Sequence, residues 1–260
     1  MLSRRTLLAG AAAAAGAGLL SGCGSGPPLA LPRPRASCVP RSSLRRTAAI
    51  GATELVYEEN GRAQPFLLDA GFAAQLGGWL DWWVEHSGLP APDQLWTFGT
   101  WIDGGGRCDS WHHAGRAFDV TSLRRDGDVQ APGRMDRVDA LPAAERAAAR
   151  RRYWQLVAGL SRHFADVLTS LFDQAHRNHV HVDNGRSGSA LAVFTGRSDI
   201  QNRNLQAVLR EVWGLGVDIT GDWDRATRRA ADAVLEPLGR SGDLTDEAAW
   251  DVFCTASVGA

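Results

Sequence analysis

The chain has 260 residues, of which 44% are hydrophobic and 22% charged, and its formal net charge is -1 at pH 7. This is the composition of a globular protein with room for one mid-sized domain and a smaller one. The near-zero charge removes the electrostatic case for a nucleic-acid partner, which would show as a clustered positive excess.

Ser3-Arg4-Arg5-Thr6 leads into an Ala/Gly/Leu run from Leu7 to Leu20 that closes on Ser21-Gly22-Cys23. A basic start, a short apolar stretch and small residues at the end are the marks of a secretory signal, so residues 1–22 are set apart from the fold. The run falls short of the ~20 residues that a membrane span needs. The paired arginines resemble a twin-arginine export signal, and Leu20-Ser21-Gly22-Cys23 resembles a bacterial lipobox. The resemblance implies an exported protein lipidated on Cys23, held to the outer face of the cytoplasmic membrane by its lipid alone and facing the wall. Residues 23–46 are rich in Pro, Ser, Gly and Arg, which oppose helix and sheet, and read as a tether. With Cys23 acylated, Cys38, Cys108 and Cys254 remain; an oxidising compartment favours one disulfide among them, and all three pairings are open.

A main domain is expected over 47–197. Asp69 reads as the N-cap of a helix in which Phe72, Leu76, Trp79, Leu80 and Trp83 recur at three- and four-residue steps, giving one apolar face. Gln94 to Ile102 alternates and is rich in aromatic and β-branched types, so it reads as a strand running into Gly104-Gly105-Gly106. Ala117 to Leu123 reads as a second strand. A polar excursion to about Leu141 precedes a long helical stretch from Pro142 to Phe172, with Pro at a tolerated first-turn position. Asn178 to Asp183 alternates again as a short strand.

Five of the seven histidines fall in two clusters, His112 and His113 in one, and His176, His179 and His181 in the other. Residues two apart in a strand share a face, so His179 and His181 project together, as do Ala117, Asp119 and Thr121. Adjacent strands can thus aim a carboxylate and imidazoles at one point, with His112 arriving from the preceding loop. Three ligands of the His/His/Asp kind, with a fourth position left to water, are what catalytic zinc requires.

The series Ser110-x-His112-x-x-Gly115-x-Ala117-x-Asp119 resembles the Ser-x-His-x-x-Gly-x-Ala-x-Asp motif of LAS-type zinc peptidases. His176-x-x-His179-x-His181 is similar to the version in extensin-like C-terminal domains and penicillin-insensitive murein endopeptidases, beside the D-Ala-D-Ala carboxypeptidase group. The resemblance covers roughly Leu95 to Asp183. It implies an α+β fold, an antiparallel sheet flanked by helices, with Zn2+ held by His112, Asp119 and His181. His113 is then a structural neighbour. The implied activity is hydrolysis of D-amino-acid-containing peptide bonds in peptidoglycan stem peptides or cross-links. Where some relatives carry a Glu as proton carrier, this chain has none before the final cluster, and the role falls to His179 with His176 behind it. Asp183 is a candidate for fixing a histidine tautomer. Ser110 is a candidate for orienting a ligand or binding substrate, and Trp111, like Trp101, for walling the cleft. Relatives keep a Tyr- and Arg-containing segment upstream to hold a substrate carboxylate. Phe98-Gly99-Thr100-Trp101 stands there instead, with Arg107 after the glycine run as the substitute.

Residues 198–260 form a small all-α segment, with helices expected over 205–213, 227–235 and 246–253. Asn204-Leu-Gln-Ala-Val-Leu-Arg and Gly221-Asp-Trp-Asp-Arg-Ala-Thr-Arg-Arg-Ala230 faintly resemble a three-helix peptidoglycan-binding domain, and a helical cap on the main domain explains them nearly as well. The rival to an enzyme is accordingly a non-catalytic cell-wall-binding lipoprotein that retains the fold.

Overall fold

Two short β-branched and aromatic runs on either side of Asp69 open the fold, and the helix that Asp69 caps sits between them. The computed structural model describes residues 36–185, 191–240 and 243–260. The signal segment, Cys23 and the tether before residue 36 lie outside the described residues. In chain order come β1 (Arg45–Thr47), β2 (Ala49–Ile50), β3 (Thr53–Tyr57), β4 (Arg62–Ala63), β5 (Phe66–Leu68), α1 (Ala70–His86), β6 (Gln94–Thr97), β7 (Ala117–Arg125) and β8 (Asp128–Pro132). They are followed by α2 (Met135–Asp139), α3 (Ala143–His163), β9 (Asp166–Leu168), β10 (Val180–Asp183), α4 (Asp199–Glu211), α5 (Arg225–Leu235) and α6 (Glu247–Gly259). No helix among the described residues is long and apolar enough to cross a membrane.

The main sheet runs β2-β3-β6-β7-β10-β9, with β4 on β3 and β8 on β7, while β1 and β5 form a separate pair. It is mixed rather than purely antiparallel, because β3 and β6 are parallel. The 17-residue α1 lies between them and returns the chain to the starting edge of the sheet, as a parallel neighbour requires. Asp69 caps that helix as the sequence predicts, its Oδ1 accepting from Phe72 N at 3.0 Å. The predicted apolar face, Phe72, Leu76, Trp79, Leu80 and Trp83, is buried in the core against Leu55, Leu95, Phe118, Val120 and the α3 face.

Several spans differ from the sequence reading: β6 stops at Thr97 short of Ile102, and α4 starts at Asp199 ahead of Leu205. The helix expected to reach Phe172 ends at His163, where Phe164 turns extended (φ -118, ψ 137) and buries its ring. Val167 and its neighbours then pair with β10 as an edge strand. The polar stretch before Leu141 contains a hairpin: Arg125 pairs with Asp128 across Asp126 and Gly127, both at positive φ (51° and 88°). That is the two-residue turn an Asp-Gly pair favours.

Ordered structure also begins earlier than residue 47. Cys38 is bridged to Cys108, and β1 pairs with β5 from Arg45. Cys254 is a buried free thiol. The bridge pins the 101–109 loop, whose Gly104 has no room for a Cβ: it would stand 2.2 Å from Arg107 O, 3.0 Å from His113 Cγ and 3.2 Å from Cys38 Sγ. Closing a loop of separation 70 stabilises by about 4 kcal/mol in the chain-entropy account. A Cys38→Ala/Cys108→Ala protein is therefore expected to lose most of that in urea denaturation, and a loss below ~1 kcal/mol would contradict the account.

Helices α4 and α6 pack on α3 and α5 packs on those two, Leu205, Val208, Trp250 and Phe253 joining the cluster that holds Trp154 and Leu160. The described residues, from 36 to 260, fall in one compact unit.

At the end of α3, the buried His163 uses both ring nitrogens in its neutral form. Nδ1 donates to Gly159 O at 3.0 Å and Nε2 accepts from Arg162 Nη1 at 2.9 Å. Burial, aided by the adjacent Arg162 charge, lowers this imidazole to about 4. The unfolded chain takes a proton near pH 6.5 where the native protein refuses it, so stability is full above 6.5 and is lost as pH falls towards 4. Between pH 7 and 4.5, in chelator, the protein should lose about 2 kcal/mol more than His163→Gln. Parallel stability curves for the two proteins would refute this.

Candidate metal centre

The first histidine motif folds as a 3-10 turn, Trp111–Ala114, shaped by residues at its two ends. Ser110 Oγ accepts from His112 N at 3.3 Å, satisfying an otherwise free N–H at the start of the turn. Ser110 is thus a positioning residue for His112. Gly115 closes the turn in the left-handed region (φ 63, ψ 24), and a Cβ there would lie 2.7 Å from Leu44 Cδ2 and 3.0 Å from Asp69 N. Glycine alone meets both demands. The chain then enters β7, where Phe118 and Val120 face the core and Asp119 the opposite, open face.

β10 lies antiparallel to β7 in a register that sets His181 directly opposite Asp119. His112 hydrogen-bonds the Thr100 carbonyl through Nδ1, which leaves Nε2 as the nitrogen available to a metal. Three donor atoms converge. His112 Nε2 is 3.2 Å from His181 Nδ1 and 3.3 Å from Asp119 Oδ1, and His181 Nδ1 is 3.0 Å from Asp119 Oδ1. Bonds of ~2.1 Å at tetrahedral angles place donors about 3.4 Å apart, so this triangle can hold a metal ion with little movement.

In the metal-free protein a proton on His181 Nδ1 stands where a cation would, and a metal ion would have to displace it. Burial alone would raise the Asp119 carboxyl, but hydrogen bonds from His112 and His181 outweigh it and hold the group well below the carboxylate range. Burial likewise opposes charge on His181, yet its bonds to Asp119 and Asp183 hold it up to about 9. Asp183 Oδ2 lies 3.2 Å from His181 Nε2, the nitrogen not aimed at the triangle, and so fixes the ring. Asp183 is itself set by Gly185 N at 2.9 Å.

The remaining two histidines of the second cluster stand beside the triangle. His179 precedes β10, and its Nδ1 donates to Asn178 Oδ1 at 2.7 Å, leaving Nε2 free at 3.5 Å from Asp119 Oδ1. Burial lowers this imidazole to about 4, more than the Asp119 charge restores, and it is neutral at pH 7. The His176 ring is 5.0 Å from that of His179 and 6.0 Å from that of His181, and Asp173 Oδ1 holds its Nδ1 at 2.7 Å. His113 points elsewhere, to Ile102 O and Asp109.

Of the candidate substrate contacts, Trp111 is in the turn itself, its ring covered by the Arg116 guanidinium at 5.0 Å. Arg107 sits in the exposed 101–109 loop, and its side chain has no hydrogen bond or ion pair among the described residues. It is not brought to the cluster. Another arginine is linked to the cluster through an aromatic ring. Arg134 Cζ lies 5.4 Å from the Phe98 ring centre, and that ring meets His179 edge-on at 6.2 Å. Arg134 and Arg137 converge on Glu58 at 3.1 and 2.8 Å, and Thr121 donates to the same carboxylate at 2.7 Å. Sequence reasoning missed Glu58 and Arg134, which are distant in the chain and match no motif. Asp173 was within reach, since Asp-x-x-His spacing puts the two on one side of a helical turn. Compared with known proteins, the chain matches no family model, no curated protein and no solved structure.

Proposed function

We propose that this protein is a zinc peptidase of the LAS type, an exported lipoprotein anchored through Cys23, which hydrolyses D-amino-acid-containing bonds in peptidoglycan stem peptides or cross-links. The observation that carries the reading is the triangle of His112 Nε2, Asp119 Oδ1 and His181 Nδ1 with the free Nε2 of His179 beside it. Two imidazoles and one carboxylate at tetrahedral spacing suit zinc, and three protein ligands leave a position for water. The chemistry a zinc ion supplies in such a site is Lewis acidity towards a water and a scissile carbonyl.

The protein's own groups do the rest. His179, neutral and held by Asn178 through Nδ1, accepts the proton of the attacking water on Nε2 and delivers it to the departing amine. His176, oriented by Asp173, packs against the His179 ring and supports it. Asp183 keeps His181 in the tautomer that presents Nδ1. The test is incubation of the purified protein with muropeptides, with and without a chelator. Peptide products that stop on chelation and return with zinc are expected. Binding to wall sacculi with no cleavage in any metal would overturn the enzyme reading in favour of a wall-attachment protein.

A further inference from the structure

A second chemical feature lies on the same sheet face. Between β6 and β7 the register shifts, Trp96 pairing with Ser122 but Thr97 with Val120, so Thr121 is an extra residue. Without that bulge strict alternation would turn Ser122 and Arg124 into the core; with it, Leu123 stays in the core and both polar residues take the face that carries Asp119, Ser122 buried there and Arg124 half-buried. Beyond them a cavity of about 430 Å³ is floored by β7 and β8 and walled by α2 and the first half of α3.

Four arginines line it, Arg124, Arg134, Arg137 and Arg152, beside apolar surface from Val129, Val138 and Leu141. Glu58 and Asp136 are the carboxylates that pair with this set, both through Arg134 and one also through Arg137. Arg124 is in no ion pair among the described residues: it donates to Ser122 Oγ at 3.0 Å and lies 3.6 Å over the Trp96 ring. Arg152 makes no hydrogen bond or ion pair among the described residues. Two guanidiniums, one on the floor and one on the helical wall, therefore lack an ion-pair partner among the described residues, although the Glu58 charge acts on Arg124 from a distance. Burial lowers both below the usual arginine range, at Arg124 by more than the Glu58 charge restores.

We infer that this cavity is an anion-binding subsite of the metal cleft, taking a carboxylate of a short acidic peptide whose apolar groups lie against Val129, Val138 and Leu141. Guanidinium forks match a carboxylate in two parallel hydrogen bonds, and half-buried ones bind it more tightly than exposed lysines. Arg124 is five residues beyond Asp119 on one strand, roughly 15 Å with one residue taken up by the bulge, a span that an extended peptide covers in about four or five residues. The part of the inference that joins the cavity to bond cleavage rests on the peptidase reading; the binding itself does not.

The test uses the full-length protein stripped with chelator, titrated calorimetrically with acetyl-Ala-Glu-Ala and with its neutral counterpart, acetyl-Ala-Gln-Ala-amide. The acidic peptide is expected to bind at least tenfold more tightly than the neutral one. Arg152→Gln, a change on the surface of α3, and Arg124→Gln should each weaken it about tenfold. Equal affinity for the two peptides, no binding of either, or no effect of Arg152→Gln would overturn the subsite. So would inorganic phosphate competing as tightly as the peptide, since the cavity would then be a simple oxyanion site. Because no metal is present, failure of this titration leaves muropeptide cleavage untouched, and absence of cleavage leaves the titration untouched.

Discussion

Replacing Asp119 by Ala is expected to abolish high-affinity metal binding and, with it, peptide hydrolysis. The residue is the common vertex of the site: its Oδ1 lies within 3.5 Å of a nitrogen on each of His112, His179 and His181. Loss of a group that only orients a ligand costs roughly 10–100-fold in metal affinity, and loss of the ligand itself costs more. Asp183→Asn supplies the comparison within one protein, since Asp183 touches His181 only through the nitrogen that faces away from the triangle. Zinc competition with a chromophoric chelator should rank wild type above Asp183→Asn, and Asp183→Asn above Asp119→Ala. Near wild-type zinc affinity in Asp119→Ala would remove the site from consideration.

The second large effect is kinetic. His179→Ala should lower kcat by about 10²–10⁴-fold, the usual worth of a positioned acid–base group, while leaving zinc content unchanged. His179 is beside the triangle without belonging to it, which is why metal content and turnover should separate. His176→Ala should cost less, because its ring reaches the site by packing on His179. If His179→Ala loses its zinc, the histidine is a ligand; if it keeps full turnover, another group moves the proton.

Several local features were legible in the residues because they depend on neighbours in the chain. Asp69 caps α1 through its own side chain, and the apolar stripe of that helix has one spacing whatever it packs on. Alternation in the β7 and β10 sequences is enough to put Asp119 and His181 on usable faces. The Asp126-Gly127 turn carries its own signal as well, and the hairpin it makes was legible though unread. The end of α3 was not: an Ala- and Arg-rich run favours helix throughout, and the break at Phe164 follows from burying that ring and pairing Val167 with Val182.

What the sequence by itself determined is the chemistry that gathers at the site, two imidazoles and a carboxylate on short strands with two further histidines beside them. Tertiary structure decided the rest. The parallel β3–β6 pairing, the choice of Cys38 and Cys108 as bridge partners, and the capture of Glu58 by Arg134 and Arg137 all join segments far apart in the chain. Local periodicity cannot encode such partners, because what selects them is the closure of a common core and the need of each buried charge for a counter-charge. The same holds for the bulge at Thr121, a one-residue shift visible only once β6 is laid against β7, which turns Arg124 from the core to the face that carries Asp119.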